Sequence, residues 1–486
     1  MANFVRLTMG GLRGFAQEQS LEFAQPNGSQ GSGLTLLVGA NNSGKSTIIE
    51  GLRALSQSAP PAFSSGRRNR AFGDRVMIRL EGADGEPTVR LESVRPGGSE
   101  ATAEGTIESG SLFVVPSRRS FAHLFHASIN TPGDRVNYLG RYRDESLRQQ
   151  NLSNFEIRLF SIDRDASRRA TFQKMMSRVI DPPPEWTIDQ SDNGQHFLKY
   201  RWPSPGGLDS DHSSEGLGDG LTSLLSIIDA LYDSEPSTMI VIDEPELSLH
   251  PEYQRRLAAL LVDLSKDRQI VCATHSPYFI SWEAISNGAC VVRTYRSPDG
   301  CQVRAASRDS LRSVARSVRD TNNPHTLGLQ ANEVFFLHDR VILVEGQEDV
   351  VFFDFVMKAL GVELPGSFFG WGVGGAGKMG AFAGLLRDLG YEFVVGILDN
   401  DKTEERDKLR TRFPEYHFEC IPAADIRTKE AQPPREEKVG LLDSKGRIRE
   451  EHKADTADMF SRIKAYCEPT TVDIPGIADE DHASQR

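Results

Sequence analysis

Cysteine is scarce: the 486-residue chain has five, at 272, 290, 301, 420 and 467. No two stand at C-x-x-C spacing and the count is odd, which argues against a disulfide framework or a zinc site and fits a reducing compartment. Long apolar runs are missing as well. No stretch approaches the roughly 18 apolar residues of a membrane span, and the opening "MANFVRLTMGGLRGF" has no apolar core of the kind a secretory signal needs. The expectation is a soluble, cytoplasmic protein with no membrane partner. Basic charge is in deficit, with 56 Lys and Arg against 68 Asp and Glu and a formal net charge of −12. Whole-molecule attraction to nucleic acid is therefore excluded. Contact with DNA needs local basic patches, or divalent ions that bridge carboxylates to phosphates. Sustained heptads are absent too, so no long coiled coil is expected.

What remains is ample for about two or three domains. Short β-branched runs alternate with amphipathic segments. "LTLLVGA", "TMIVIDEP" and "RQIVCATHS" read as buried strands, and "KSTIIEGLRALSQ" and "EYQRRLAALLVDLSK" as helices. That alternation predicts an α/β fold with parallel strands. Between Ser58 and Gly110, short alternating runs such as "DRVMIRLEG" predict an antiparallel excursion. A second series starts near Arg340: strands "RVILVEG", "SFFGWGVGG", "EFVVGILDND" and "HFECIP", separated by helices such as "TEERDKLRTRFP". The expected division is 1–305, a polar linker or dimerisation segment 306–338, a second domain 339–467, and a disordered, apolar-poor tail 468–486.

"GANNSGKST", Gly39 to Thr47, has the full spacing of a phosphate-binding loop. Gly39 and Gly44 allow the tight turn. The backbone around Asn41 and Asn42 faces phosphate, Lys45 reaches the β- and γ-phosphates, Ser46 offers a hydroxyl to Mg²⁺, and Thr47 opens the helix whose dipole favours the anion. "MIVIDEP" ends a strand in Asp243 and Glu244: the first carboxylate can hold Mg²⁺ and the second can polarise a water. His275 ends the strand of "VCATHSP", where it can touch a γ-phosphate or serve as an ordinary structural histidine.

A second set of carboxylates also sits at strand ends: Glu345 and, one helical turn on, Asp349; then Asp399 and Asp401 in "LDND". Ligands of α/β folds bind at that sheet edge. Crowded carboxylates repel unless a cation neutralises them, and hard oxygen donors suit Mg²⁺, Mn²⁺ or Ca²⁺. An EF-hand is excluded, since Glu404 stands where its loop needs Gly and Arg410 where it needs Glu. Between these motifs lies "GVGGAGKMG", Gly372 to Gly380, a near-copy of a phosphate loop with Met379 where the Mg²⁺-binding hydroxyl belongs. It is read as a strand-to-helix turn of the second domain. Arg67, Arg68, Arg70 and Arg75, and Arg118 and Arg119, form basic clusters able to hold a phosphate backbone or simply to be solvated.

The first half resembles the ABC-type ATPase heads of SMC-like repair ATPases and of the OLD (overcoming lysogenization defect) family. Leu12–Phe15 looks like their N-terminal segment, Gly39–Thr47 like Walker A, Asp243-Glu244 like Walker B, Ser248–Pro251 like the D-loop and His275 like the switch histidine. "SSEGLGDGLTSLLSI" occupies the place of the signature helix but departs from LSGGQ; Ser214, Gly218 and Gly220 are its candidates. The resemblance implies ATP binding and hydrolysis and a head-to-tail homodimer or higher oligomer, with signature residues closing over the neighbour's ATP. The second half resembles a Toprim domain, with Glu345 at the glutamate, Asp349 at the acidic position of EGxTD, and Asp399 and Asp401 at the DxD; Glu348 departs from the usual small hydroxyl residue. A downstream lysine in OLD nucleases falls at Lys453, with Lys429 and Lys438 as rivals. The implied fold is an ABC-type head with a mixed sheet, followed by a Rossmann-like parallel-sheet Toprim domain. The implied activity is ATP-linked, metal-dependent cutting of DNA in phage defence or nucleic-acid quality control. The alternative is a sensor or assembly ATPase whose second half is inactive or waits for a defence-system partner protein.

Overall fold

The structure is a computed structural model and describes residues 4–57, 59–83, 87–108, 110–117, 124–125, 152–190, 192, 194, 196–202, 210–213, 219–236, 238–318, 329–370, 372–428, 438–443 and 445–467. The tail 468–486 lies outside the described residues. The chain forms two compact units, residues 1–336 with 384–390, and 337–383 with 391–486.

In the first unit a six-stranded sheet runs in the order Gly300–Ala305, Cys290–Ser297, Leu34–Val38, Gln269–Ala273, Met239–Asp243, Leu112–Val115. Five strands are parallel and only Gly300–Ala305 is antiparallel. Leu34–Val38, Met239–Asp243 and Gln269–Ala273 are buried at every position, as expected of parallel strands covered on both faces. The antiparallel excursion forms a second sheet in the order Gln19–Glu22, Phe4–Gly10, Met77–Gly82, Pro87–Ser93, Ala101–Gly105. Helix Lys45–Leu55 shares one core with both sheets: Ile48, Ile49 and Leu52 join Leu7, Met9, Ile78, Val241 and Val271. Helix Leu152–Asp163 is tied to helix Asp219–Tyr232 by buried Arg158, whose Nε donates to Asp229 at 3.0 Å and whose terminal amine donates to the Tyr232 hydroxyl at 2.8 Å. Within the stretch expected to be a polar linker, Arg308–Val318 is a helix with Leu311, Val314 and Ala315 buried, packed on helix Trp282–Asn287 in the same unit.

The second unit is built on a four-stranded parallel sheet, in the order Ser367–Phe368, Arg340–Val344, Phe393–Leu398, His417–Cys420. Helices Gln347–Leu360 and Glu450–Cys467 cover it through Phe353, Val356, Met459, Phe460 and Ile463. The long strand expected over "SFFGWGVGG" is only two residues, because a turn interrupts it: Phe369 N still donates to Ile342 O, Gly372 N donates to Phe369 O, and the chain rejoins the neighbouring strand where Val373 N donates to Val344 O. Among the described residues no helix is long and apolar enough to cross a membrane.

Candidate nucleotide cleft and carboxylate site

Parallel order brings the C-terminal ends of Leu34–Val38, Met239–Asp243 and Gln269–Ala273 to one edge. Asn41, Asn42, Gly44, Lys45, Ser46, Thr47, Asp243, Glu244 and His275 consequently line a single cleft of about 1060 Å³. Gly39 has φ 144°, and a Cβ there would lie 2.2 Å from Thr294 O, so no larger residue fits. Ser43 Oγ meets Thr294 Oγ1 at 2.6 Å and fastens the loop to the next strand. Lys45 Nζ donates to Gly39 O at 2.8 Å and Ala40 O at 3.0 Å. Burial pushes its pKa down to about 8, against the pull of Asp243, Glu244 and Glu246. Burial, and then the Lys45 charge, also lower the His275 pKa, against the pull of Glu244. Three non-glycine residues of this cleft are left-handed: Arg13 at φ 49°, Asn42 at 61° and Glu244 at 48°. Such strain persists only where the surroundings enforce it. Arg13, Glu50, Arg67 and Arg296 join the lining as well. Arg13 Nε donates to Glu50 at 2.6 Å.

Arg67 therefore faces the cleft, whereas Arg68 pairs with Asp74 at 3.1 Å and Arg70 opens the short turn Arg70–Phe72. Ser214, Gly218, Arg118 and Arg119 lie outside the described residues. Gly220 sits in the first turn of helix Asp219–Tyr232, where a Cβ would lie 2.3 Å from Ser248 O. Close packing within the same chain thus accounts for that glycine.

In the second unit Glu345, Asp349 and Asp399 line one crevice at the C-terminal sheet edge. Glu345 Oε1 accepts from Asp399 N at 2.9 Å and its Oε2 from Ala376 N at 3.3 Å. Asp349 Oδ2 accepts from Gly346 N at 2.8 Å, capping the helix it opens. Burial, and then the charges of Glu345, Asp425, Asp349 and Asp401, push the Asp399 pKa up to about 8. Asp401 differs. Burial works to raise it, but hydrogen bonds from Lys438 and Lys402 outweigh burial and hold it below the usual range; Lys438 Nζ lies 2.9 Å from Asp401 and Lys402 Nζ 3.2 Å. Of the three lysines considered, Lys438 is thus beside the carboxylates, Lys453 pairs with Glu450 at 3.4 Å on helix Glu450–Cys467, and Lys429 lies outside the described residues. Glu348 is held by Arg427 at 2.8 Å. Buried Asp425 joins the carboxylates from a turn with no motif around it.

Among the described residues no three His, Cys, Asp or Glu side chains close into a ready coordination cage. The donor chemistry still fits a hard divalent ion: burial, and then the neighbouring carboxylates, disfavour the Asp399 charge, and a cation relieves both. The glycine-rich stretch serves this edge. Gly374 N and Gly375 N donate to Glu345 O at 2.9 and 2.8 Å, and a Cβ on Gly372 would lie 2.5 Å from Gly346 C. Met379 is fully buried, and a Cβ on Gly396 would lie 2.7 Å from its Sδ.

Residues 6–178 match the family described as "AAA domain", and residues 117–281 the family described as "AAA domain, putative AbiEii toxin, Type IV TA system". The chain is 27% identical over 187 residues to the Old nuclease of Escherichia phage P2, covering 36% of this chain and 30% of that protein. It is 35% identical over 146 residues to the OLD nuclease of Thermus scotoductus, covering 28% and 26%. Parts of the chain are thus similar to OLD nucleases and to AAA-domain families. The matched stretches span less than a third of the length of those two OLD nucleases. The Septu protein PtuA of Bacillus thuringiensis is 22% identical over 279 residues, 52% of this chain and 69% of that protein. Among solved structures, the Smc head domain of Pyrococcus furiosus gives a TM-score of 0.41 at 12% identity, covering 66% of this chain and 100% of that one, and the SMC head domain of Thermotoga maritima 0.36 at 17%, covering 63% and 99%.

Proposed function

We propose that the chain is an ATP-regulated, metal-dependent DNA endonuclease, with an ABC-type head and a Toprim domain, working in phage defence or nucleic-acid quality control. The observation that carries this reading is the gathering of Glu345, Asp349 and Asp399 at one sheet edge, with Asp399 pushed up to about 8 by burial and then by its acidic neighbours. It is supported by the phosphate loop, Asp243-Glu244 and His275 sharing one cleft in the first unit, and by the relatives' names.

In the head, Lys45 exchanges its two loop carbonyls for the β- and γ-phosphates of ATP. Ser46 and Asp243 would hold Mg²⁺, Glu244 would orient the attacking water, and His275 would donate to the γ-phosphate. In the second unit Glu345, Asp349, Asp399 and Asp401 would hold divalent ions, Mg²⁺ or alternatively Mn²⁺ or Ca²⁺, which would supply Lewis-acid activation at a phosphodiester. Lys438, paired with Asp401 at 2.9 Å, would add a positive charge beside that phosphodiester. The reading includes a homodimer or higher oligomer, as the resemblance to ABC-type heads implies.

A second reading, a sensor or assembly ATPase that needs a partner protein, draws on the resting arrangement. Asp401 is already paired with two lysines and Glu345 with two backbone amides, and Septu protein PtuA is among the relatives. The test is to incubate supercoiled and linear DNA with Mg²⁺ or Mn²⁺, with and without ATP. ATP-responsive nicking, lost in an Asp399→Ala/Asp401→Ala variant, is expected. Cutting without metal, or undiminished cutting by that variant, overturns the nuclease reading. ATP turnover with no cleavage under any metal favours the second.

A further inference from the structure

The turn after the acidic strand carries a third carboxylate, Glu246, and it points away from the neighbouring acids to the next strand end. Its Oε1 accepts from His275 N at 2.6 Å and its Oε2 from Thr274 Oγ1 at 2.8 Å. The chain of hydrogen bonds continues. Ser276 N donates to Thr274 Oγ1 at 3.0 Å, Ser276 Oγ meets Gln254 Oε1 at 2.7 Å, and Gln254 Nε2 donates to Leu249 O at 2.8 Å, back in the turn that holds Glu246. Thr274 and Ser276 are buried. The result is a closed loop of bonds joining the turn after Asp243-Glu244, the turn of His275 and the helix Pro251–Leu264.

We propose that Glu246 is the positioning residue of the nucleotide site: it fixes the backbone of His275 relative to Glu244, so that both meet the γ-phosphate together. This rests on the ATPase reading above. Glu246 is not a catalytic residue, because its carboxylate is spent on a main-chain amide and a buried hydroxyl. An acceptor-only group facing two donors is the arrangement a carboxylate satisfies best. Glutamine keeps most of that geometry, its carbonyl accepting from His275 N and its amide donating to the Thr274 hydroxyl, while the charge is removed.

The experiment compares wild type, Glu246→Ala, Glu246→Gln and Lys45→Ala for ATP affinity by calorimetry, steady-state turnover and melting temperature. For Glu246→Ala the expected result is unchanged affinity with turnover reduced about 10–100-fold, the scale of a misplaced reacting group, and a lowered melting temperature from the two donors left unpaired. Glu246→Gln should recover turnover to within about 3-fold of wild type. Unchanged turnover in Glu246→Ala overturns the proposal. So does a Gln variant as slow as Ala, which would make charge rather than geometry the requirement. Parallel loss of affinity in Glu246→Ala, or a Glu246→Gln variant that regains melting temperature but not turnover, overturns it too. Wild type no faster than Lys45→Ala sinks the ATPase reading itself, and that outcome is read before any Glu246 variant is compared.

Discussion

Lys45 and Lys378 each follow a glycine at the start of a helix, yet their surroundings differ. Lys45 is buried among carbonyls and faces two acids across a cleft, whereas the residue after Lys378 is a core methionine. Lys45→Ala is expected to weaken ATP binding by about 30-fold to several thousand-fold, the usual result of truncating one partner of a buried charge pair. Lys378→Ala should leave it unchanged; calorimetric titration with ATP checks both. Asp399 carries a pH dependence. Its folded pKa, about 8, lies above the ordinary aspartate value, so the folded state holds a proton that the unfolded state has released. Stability from this group is full below the ordinary aspartate pKa and is lost as pH rises through the folded value. Without divalent ions, Asp399→Asn should therefore melt increasingly above wild type as pH goes from about 5 to about 9; thermal melts across that range test it. At this scale the sequence is legible where chemistry is contiguous, as at Gly39–Thr47. It is silent on Asp425 and ambiguous on the lysine, since 37 residues separate Lys438 from Asp401 and only folding brings the two together.

Glycines show how elements are joined. In "GVGGAGKMG" the spacing suggests a phosphate loop, but the backbone uses its glycines to approach Glu345 and Gly346. Gly372 is left-handed at φ 63° with no room for a Cβ, whereas a Cβ on Gly377, inside helix Ala376–Asp388, would meet nothing within 4 Å. Gly372→Ala is expected to destabilise the protein by about 1–3 kcal/mol or more, and Gly377→Ala to stabilise it by about 0.4–1 kcal/mol through the helix and the unfolded chain. Urea denaturation of both variants decides. Buried parallel strands are readable from their β-branched runs. The two-residue strand Ser367–Phe368 is not, because its apolar and aromatic neighbours continue past the point where glycines bend the chain.

Across the whole molecule, the two units carry separate sites, each made from residues of its own unit. Ligand stabilisation should follow that division. ATP at about 100 times its Kd adds about 2.7 kcal/mol to the state that binds it, so calorimetry should show one transition raised by ATP and lost from that response in Lys45→Ala. A second transition should be raised by Mn²⁺ and lost from that response in Asp399→Ala/Asp401→Ala. A single transition raised equally by both ligands would contradict the division. The alternation of strands and helices makes two α/β series legible in the sequence, but helix Arg308–Val318 shows its limit: a polar stretch with three buried apolar residues reads as a linker until its partner helix is known. The left-handed Arg13, Asn42 and Glu244 carry a last consequence. A left-handed L-residue costs about 1–2 kcal/mol that glycine would not pay, so a screen that rewarded heat resistance alone would drift toward glycine at Asn42 and Glu244. It would return a tougher protein with a slack nucleotide cleft, and the trade between endurance and turnover would be visible at those positions first.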